Sequence, residues 1–104
     1  MKVEFDFIVV GAGSAGCAVA ARLSERTGTE VLLLEAGPDA NGWTIRMPLA
    51  VDRLLTKTTY NWGFTSVSEP ELGGRTIAHP RGRVMGGSSA INGMVYTGFV
   101  AQMT

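Results

Sequence analysis

The residues able to do chemistry lie in two glycine-rich stretches and at one carboxylate between them. Gly11-Ala12-Gly13-Ser14-Ala15-Gly16 has the G-x-G-x-x-G spacing. Gly11 permits a tight turn, Gly13 lets the backbone approach a pyrophosphate, and Gly16 lets a helix lie close to a strand. Free N–H groups at the start of that helix, with its dipole, favour a negative ligand. Glu35 follows about 20 residues on, where a carboxylate can accept hydrogen bonds from ribose hydroxyls and disfavours a 2′-phosphate. That argues against NADP and leaves NAD and FAD open. The second stretch runs from Arg83 through Val84, Met85, Gly86, Gly87, Ser88, Ser89, Ala90 and Ile91 to Asn92. A cation, paired glycines and two hydroxyls ahead of a helix start are the parts of a second anion-binding loop. A glycine turn capped by Ser88 or Ser89 is the alternative. Two such loops in one chain suggest a dinucleotide held at two points.

A phosphate loop needs a strand before it and a helix after it, and the flanking residues supply both. Phe5 to Val10 is apolar and β-branched and stops at Gly11, which predicts a buried parallel strand. Ser14 to Arg26 carries Ala15, Ala18, Val19, Ala20, Ala21 and Leu23, small residues suited to a helix packed closely on a sheet. Thr27-Gly28-Thr29 ends it. Glu30 to Leu34 is a second buried strand that delivers Glu35 at its carboxyl end. Strand, turn, helix and strand within about 30 residues make one βαβ unit with a right-handed crossover. From Ala36 to Tyr60 the pattern breaks at Gly37-Pro38-Asp39, Asn41-Gly42 and Pro48, with one or two helical turns expected over Leu49 to Leu55. Asn61 to Val67 alternates like a strand, and Arg75 to His79 reads as its antiparallel partner.

Composition narrows the class. Hydrophobic residues make up 45% and charged residues 17%, a globular balance with no disordered tail. Nine Lys and Arg offset nine Asp and Glu, so no long-range field recruits nucleic acid or an anionic membrane. The lone Cys17 forms no internal disulfide and is expected to be a small apolar residue packed against the sheet. The apolar run Phe7 to Val10 meets its glycine turn too early for a signal peptide or a membrane span. Cytoplasmic is the expected location. No metal-ligating set stands out.

These motifs, in order, resemble the glucose–methanol–choline (GMC) oxidoreductases, especially bacterial choline-dehydrogenase-like and alcohol-dehydrogenase-like members. The matching pieces are Asp6 to Gly16, Leu33-Leu34-Glu35-Ala36-Gly37, Tyr60-Asn61-Trp62-Gly63-Phe64, Glu69-Pro70 and Pro80 to Tyr96. The run from Gly82 to Tyr96 is similar to most of the first of the family's two signature patterns. The resemblance implies an α/β fold: a truncated Rossmann-type FAD-binding domain made of the βαβ unit, an antiparallel hairpin and the second glycine loop. It implies FAD as cofactor. Ser14 and Ala15 would lie at the pyrophosphate through their backbone, Glu35 would bind the adenosine ribose, and Ala36 would lie beside it. Val84, Gly87 and Ser88 would serve the flavin half, with Asn92, Gly93, Met94 and Val95 near the ring system, while Arg83 would order the loop or face phosphate. Trp62 and Tyr60 could cover the cofactor, but large apolar residues are more often core, and core is the expectation. His79 would be structural.

Activity in the family implies a small-molecule alcohol whose hydride passes to flavin N5 while a histidine removes the hydroxyl proton. That histidine, the second signature and the substrate domain belong near the carboxyl end of chains of several hundred residues. None of them is in this sequence, so no catalytic residue can be named. The expectation is that residues 1–104 are the amino-terminal part of the FAD-binding domain, with the carboxyl-terminal substrate domain absent and no turnover by the chain alone. Thr97-Gly98-Phe99-Val100-Ala101-Gln102-Met103-Thr104 departs from the family pattern, which suggests a frameshift or a truncated gene product. A non-catalytic nucleotide-binding remnant is the rival reading, and an NAD-dependent dehydrogenase domain is a further one that leaves the second loop unexplained. Two strands alone would expose apolar faces and favour association.

Overall fold

A computed structural model describes residues 4–95. The expected positions Tyr96 and Thr97 to Thr104 lie outside the described residues. Strand β1 (Phe7–Val10), helix α1 (Ser14–Ser24) and strand β2 (Val31–Leu34) form the βαβ unit. β1 and β2 pair in parallel with Phe7 beside Val31 and Val10 beside Leu34. Gly11 continues the ladder by donating its N–H to the Leu34 carbonyl at 2.7 Å, then turns the chain at a φ of +96° that side chains avoid.

α1 is built from residues that let it sit low on the sheet. Ala20 is buried in its middle, and a Cβ on Gly16 would collide with the Gly11 carbonyl oxygen. The helix ends two residues before the expected Arg26. The Arg26 N–H reaches back to Leu23 at 3.3 Å, a tightened last turn, and Gly28 at φ +79° reverses the chain. Cys17 donates its thiol to the Ala12 carbonyl at 3.2 Å and is half-buried, as a small residue under the sheet should be.

The buried-strand expectation for β1 does not hold. Ile8 is 58% and Val10 81% exposed. An apolar, β-branched run records the wish to be covered, but the described residues cover the sheet with α1 only, and neither strand gains a further neighbour.

Three short helical pieces cross the irregular excursion: α2 (Trp43–Arg46), a 3₁₀ turn (Pro48–Ala50) and α3 (Val51–Thr56). The last two fulfil the helical turns expected over Leu49 to Leu55, while α2 was not foreseen. Then β3 (Phe64–Thr65) pairs antiparallel with β4 (Ala78–His79), Phe64 facing His79. The strand predicted over Asn61 to Val67 shrinks to two residues for a local reason. Gly63 adopts φ +68°, and the buried Asn61 side chain takes over ladder partners. Its Oδ1 accepts from the Gly63 and Arg81 N–H groups, both at 3.0 Å, and its Nδ2 donates to the Leu55 carbonyl at 2.8 Å. Beyond this bulge the ribbon continues through Trp62 N–H to Arg81 carbonyl and Arg83 N–H to Tyr60 carbonyl, each at 2.9 Å.

The core cluster lies between α3 and the second glycine loop: Leu54, Val84 and Ile91, with Ile45 and Tyr60 partly buried against it. Truncating Leu54 to alanine is expected to cost about 2–4 kcal/mol, because the cavity cannot collapse against a backbone loop. Urea unfolding of parent and variant checks this; an unchanged midpoint would show that the cluster is not where stability resides.

Candidate cofactor site

The two glycine loops, far apart in sequence, touch. Gly86 donates its N–H to the Ala12 carbonyl at 2.8 Å, and a Cβ on Gly87 would stand 2.9 Å from the Gly13 Cα. Gly86 and Gly87 both have positive φ, +93° and +58°, so the pair supplies a reversal that side chains would oppose. The second loop is also closed on itself. Ser88 Oγ accepts the Gly82 N–H at 3.0 Å, and Ser89 Oγ donates to the Gly86 carbonyl at 2.6 Å. Neither hydroxyl caps the 3₁₀ turn Gly87–Ala90, whose N-cap is Gly86 with no side-chain cap hydrogen bond; the two serines instead shape the loop.

Glu35 stands at the end of β2, half-buried, with both carboxylate oxygens engaged. Oε2 accepts the Ala12 N–H at 2.8 Å, and Oε1 accepts the Gly37 N–H at 3.0 Å. Ala12 is fully buried. Its peptide is a junction, because its N–H binds Glu35 while its carbonyl receives Gly86. The carboxylate that is the candidate ribose acceptor is thus also the clamp of the first loop. A carboxylate oxygen has two lone-pair directions, so each retains capacity for a ligand hydroxyl.

Around this junction opens a cavity of about 620 Å³, within the about 300–1,000 Å³ usual for ligand sites. Of the residues selected from sequence, Gly11, Gly13, Glu35, Ala36, Gly87 and Ser88 line it. Gly11 and Gly13 have open space where a Cβ would be, so a ligand can approach their backbone. The helix start follows directly on Gly13, and the N–H groups of Ser14, Ala15 and Gly16 have no intrahelical acceptors; these three residues are not part of the lining.

Other selected residues serve different ends. Val84 is fully buried in the core cluster. Arg83 is not in the lining: its guanidinium donates to the Thr58 carbonyl at 3.1 Å and lies over Trp62, which favours the loop-ordering alternative. Asn92, Gly93, Met94 and Val95 are exposed outside the lining, with Asn92 Oδ1 accepting the Met94 N–H at 2.9 Å.

The cavity also contains residues that sequence reading passed over: Val10, Leu34, Phe64, Arg81 and Gly82. Arg81 is the cation of the lining and Glu35 its anion. The basic front of the second loop was visible in sequence, but only the ribbon register decides which arginine faces the cavity. Trp62 corrects the core expectation: it lines the cavity and is 45% exposed, whereas Tyr60 packs on the core. His79 pairs within the ribbon and is exposed.

Known proteins share this arrangement. The chain is 50% identical over 94 residues to the oxygen-dependent choline dehydrogenase of Brucella suis biovar 1, covering 90% of this chain and 17% of that protein. It is 50% identical over 96 residues to the same-named protein of Vibrio vulnificus, covering 92% and 17%. Among solved structures, pyridoxine 4-oxidase from Mesorbium loti superposes with a TM-score of 0.81 at 39% identity, over 89% of this chain and 18% of that one. A fungal aryl-alcohol oxidase superposes at 0.67 and 30% identity, over 90% and 16%. The chain is similar to the amino-terminal region of the GMC oxidoreductases. Its fold is the α/β, Rossmann-type fold of that family's FAD-binding region. The lycopene cyclase protein family model matches residues 6–95, and the chain belongs to that family. The chain spans about 17% of the length of the curated relatives it matches.

Proposed function

We propose that residues 1–104 are the amino-terminal part of an FAD-binding domain, from an oxidoreductase that acts on the CH–OH group of a small alcohol. One observation carries the reading: the two glycine loops are bonded to each other beside a cavity that also holds Glu35. A single loop would serve NAD equally well, and the second loop would then have no task. The residues present fit a dinucleotide, with open backbone at Gly11 and Gly13, a helix start for the pyrophosphate and lone pairs of Glu35 for ribose.

In this reading Gly13, Ser14 and Ala15 hold the pyrophosphate through N–H groups, Gly11 and Gly16 keep turn and helix in place, and Glu35 with Ala36 receives the adenosine ribose. Gly87 and Ser88 shape the flavin side together with Val84, Asn92, Gly93, Met94 and Val95. Arg83 orders the loop. FAD, when bound, supplies a hydride acceptor. A proton-abstracting histidine is not provided here, since the single histidine, His79, sits in the β3–β4 ribbon. The chain by itself is therefore a cofactor holder, and substrate recognition belongs to a separate domain. The names of the relatives span choline, pyridoxine and aryl alcohols, which supports a small alcohol without choosing one. No helix among the described residues is long and apolar enough to cross a membrane; a cytoplasmic setting is part of the proposal.

The test is a visible absorbance spectrum of the purified chain after incubation with FAD and removal of the excess. Retained flavin absorbance that alcohol does not bleach under anaerobic conditions is the expected result. A colourless chain that instead retains NADH would replace this reading with the nicotinamide one. A chain that holds neither would leave the motifs as marks of descent only.

A further inference from the structure

A second recess, of about 210 Å³, opens between α2, α3 and the segment that follows α3, and shares no lining residue with the cavity between the glycine loops. Its lining includes Arg53, Lys57, Thr44, Thr59 and Tyr60, and neither Asp nor Glu. Among the described residues, none of these five side chains has a hydrogen-bond or ion-pair partner. Arg46, in the same excursion, differs: its Nη2 donates to Asn41 Oδ1 at 3.0 Å. Arg53 is held in another way. Its guanidinium carbon lies 5.8 Å from the Trp43 ring centroid, a contact that orients the planar fork without using its N–H groups. Arg53 and Lys57 stand four residues apart across the end of α3 (Val51–Thr56). A helix end favours a cation, but two at that spacing repel, and an anion between them would relieve the repulsion. Tyr60 is seated by backbone: a Cβ on Gly42 would overlap its hydroxyl.

We propose that this recess is a further ligand site, for a phosphate dianion, free or as the monoester of a small molecule. Arg53 and Lys57 would balance its charge, and the hydroxyls of Thr44, Thr59 and Tyr60 would donate to its oxygens. A phosphate group carries about −1.5 to −2 charge and three strong acceptor oxygens, which matches two cations and three hydroxyls better than one carboxylate does. The recess is smaller than the about 300–1,000 Å³ of sites for drug-sized ligands, so it admits the phosphate group and little beyond it.

Inorganic phosphate is the first probe, added at constant ionic strength to the 104-residue chain carrying Trp62→Phe, in which Trp43 is the sole tryptophan. Trp43 fluorescence should change saturably, because the anion draws on the guanidinium that lies over the indole. Arg53→Met and Lys57→Met should each weaken binding about three- to tenfold, a loss moderated by the exposure of both side chains. Arg53→Lys should recover only part of it. The urea midpoint of the parent should rise in phosphate relative to chloride, and rise less in Arg53→Met. The midpoint in chloride separates loss of the site from loss of folding, and Lys57→Met carries the same comparison if Arg53→Met is unstable. Glycerol 3-phosphate distinguishes the sources: tighter binding than phosphate assigns a monoester, and weaker binding assigns the free anion. A response that never saturates overturns the proposal. So does a saturable response of undiminished affinity in both methionine variants, which would place the phosphate at the start of α1 instead.

Discussion

Replacing Gly37 by alanine is expected to leave the chain unable to bring its two glycine loops together. Gly37 has no positive φ to justify it; its reason is proximity. A Cβ there would fall far inside contact distance of the Arg83 carbonyl carbon and oxygen and the Val84 nitrogen. All three are backbone atoms, so no rotamer change relieves the overlap. The neighbouring Pro38 carbonyl accepts the Met85 N–H at 3.0 Å, which stitches this same crossing of the two segments. Parting the segments by the width of a methyl group would break that bond and open the Leu54–Val84–Ile91 core. Overpacking usually costs about 1–3 kcal/mol, and an overlap with rigid backbone belongs at or beyond the upper end. Against the about 5–15 kcal/mol that a whole domain has available, much of the population would be unfolded. Gly93→Ala is the control, since a Cβ there meets nothing within 4 Å. Urea unfolding followed by circular dichroism decides the matter: a Gly37→Ala midpoint as high as that of Gly93→Ala would show that the crossing is looser than the structure has it.

Gly37 also shows which parts of this molecule sequence could disclose. The βαβ unit was legible because its signals are local. An apolar run stops at a glycine with positive φ, small residues recur on one helix, and Gly28 reverses the chain. The paired glycines of the second loop announced a reversal in the same way. That Gly86 binds Ala12 and that Gly37 crosses Arg83 depend on through-space approach, which no spacing encodes. The ribbon shows the same limit. Alternation foretold an antiparallel partner, but the buried Asn61 side chain and the left-handed Gly63 cut the strand to two residues and reset what lies beyond. That reset sends Trp62 and Arg81 to the cavity, and Tyr60 and Arg83 to the packing beneath it. Residue type alone treated both aromatics as core and left open whether Arg83 orders the loop or faces phosphate, while Arg81 in the cavity lining was not singled out. The exposure of β1 is a different matter: its apolar run predicts burial, but among the described residues only α1 packs on the sheet.

Glu35→Gln is expected to weaken both the cofactor-free fold and the binding of FAD, and the coupling of the two losses is the informative part. A carboxylate that served ribose alone would leave the empty chain indifferent to its replacement. Here the two oxygens accept separate backbone N–H groups, Ala12 at 2.8 Å and Gly37 at 3.0 Å. The glutamine amide has one acceptor and one donor group, so one N–H would face an NH₂. Hydrogen bonds to a charged group contribute about 1.5–3 kcal/mol each; half-burial of Glu35 moderates this, so a loss of about 1–2 kcal/mol for the empty chain is reasonable. FAD affinity should fall further, about ten- to a hundredfold, because the ribose acceptor is weakened and the Ala12 peptide that links both loops is released. Glu35→Asp keeps the charge but shortens the reach, and should restore little of either. Urea unfolding of the empty chain and flavin titration of the same samples read the two effects separately. Unchanged stability with lost affinity would reduce Glu35 to a ligand contact. Lost stability with unchanged affinity would make it a loop clamp alone and move the ribose elsewhere in the cavity. Loss of both is the outcome expected if, as proposed, the carboxylate that clamps the first glycine loop at the end of β2 is also the group that receives the cofactor.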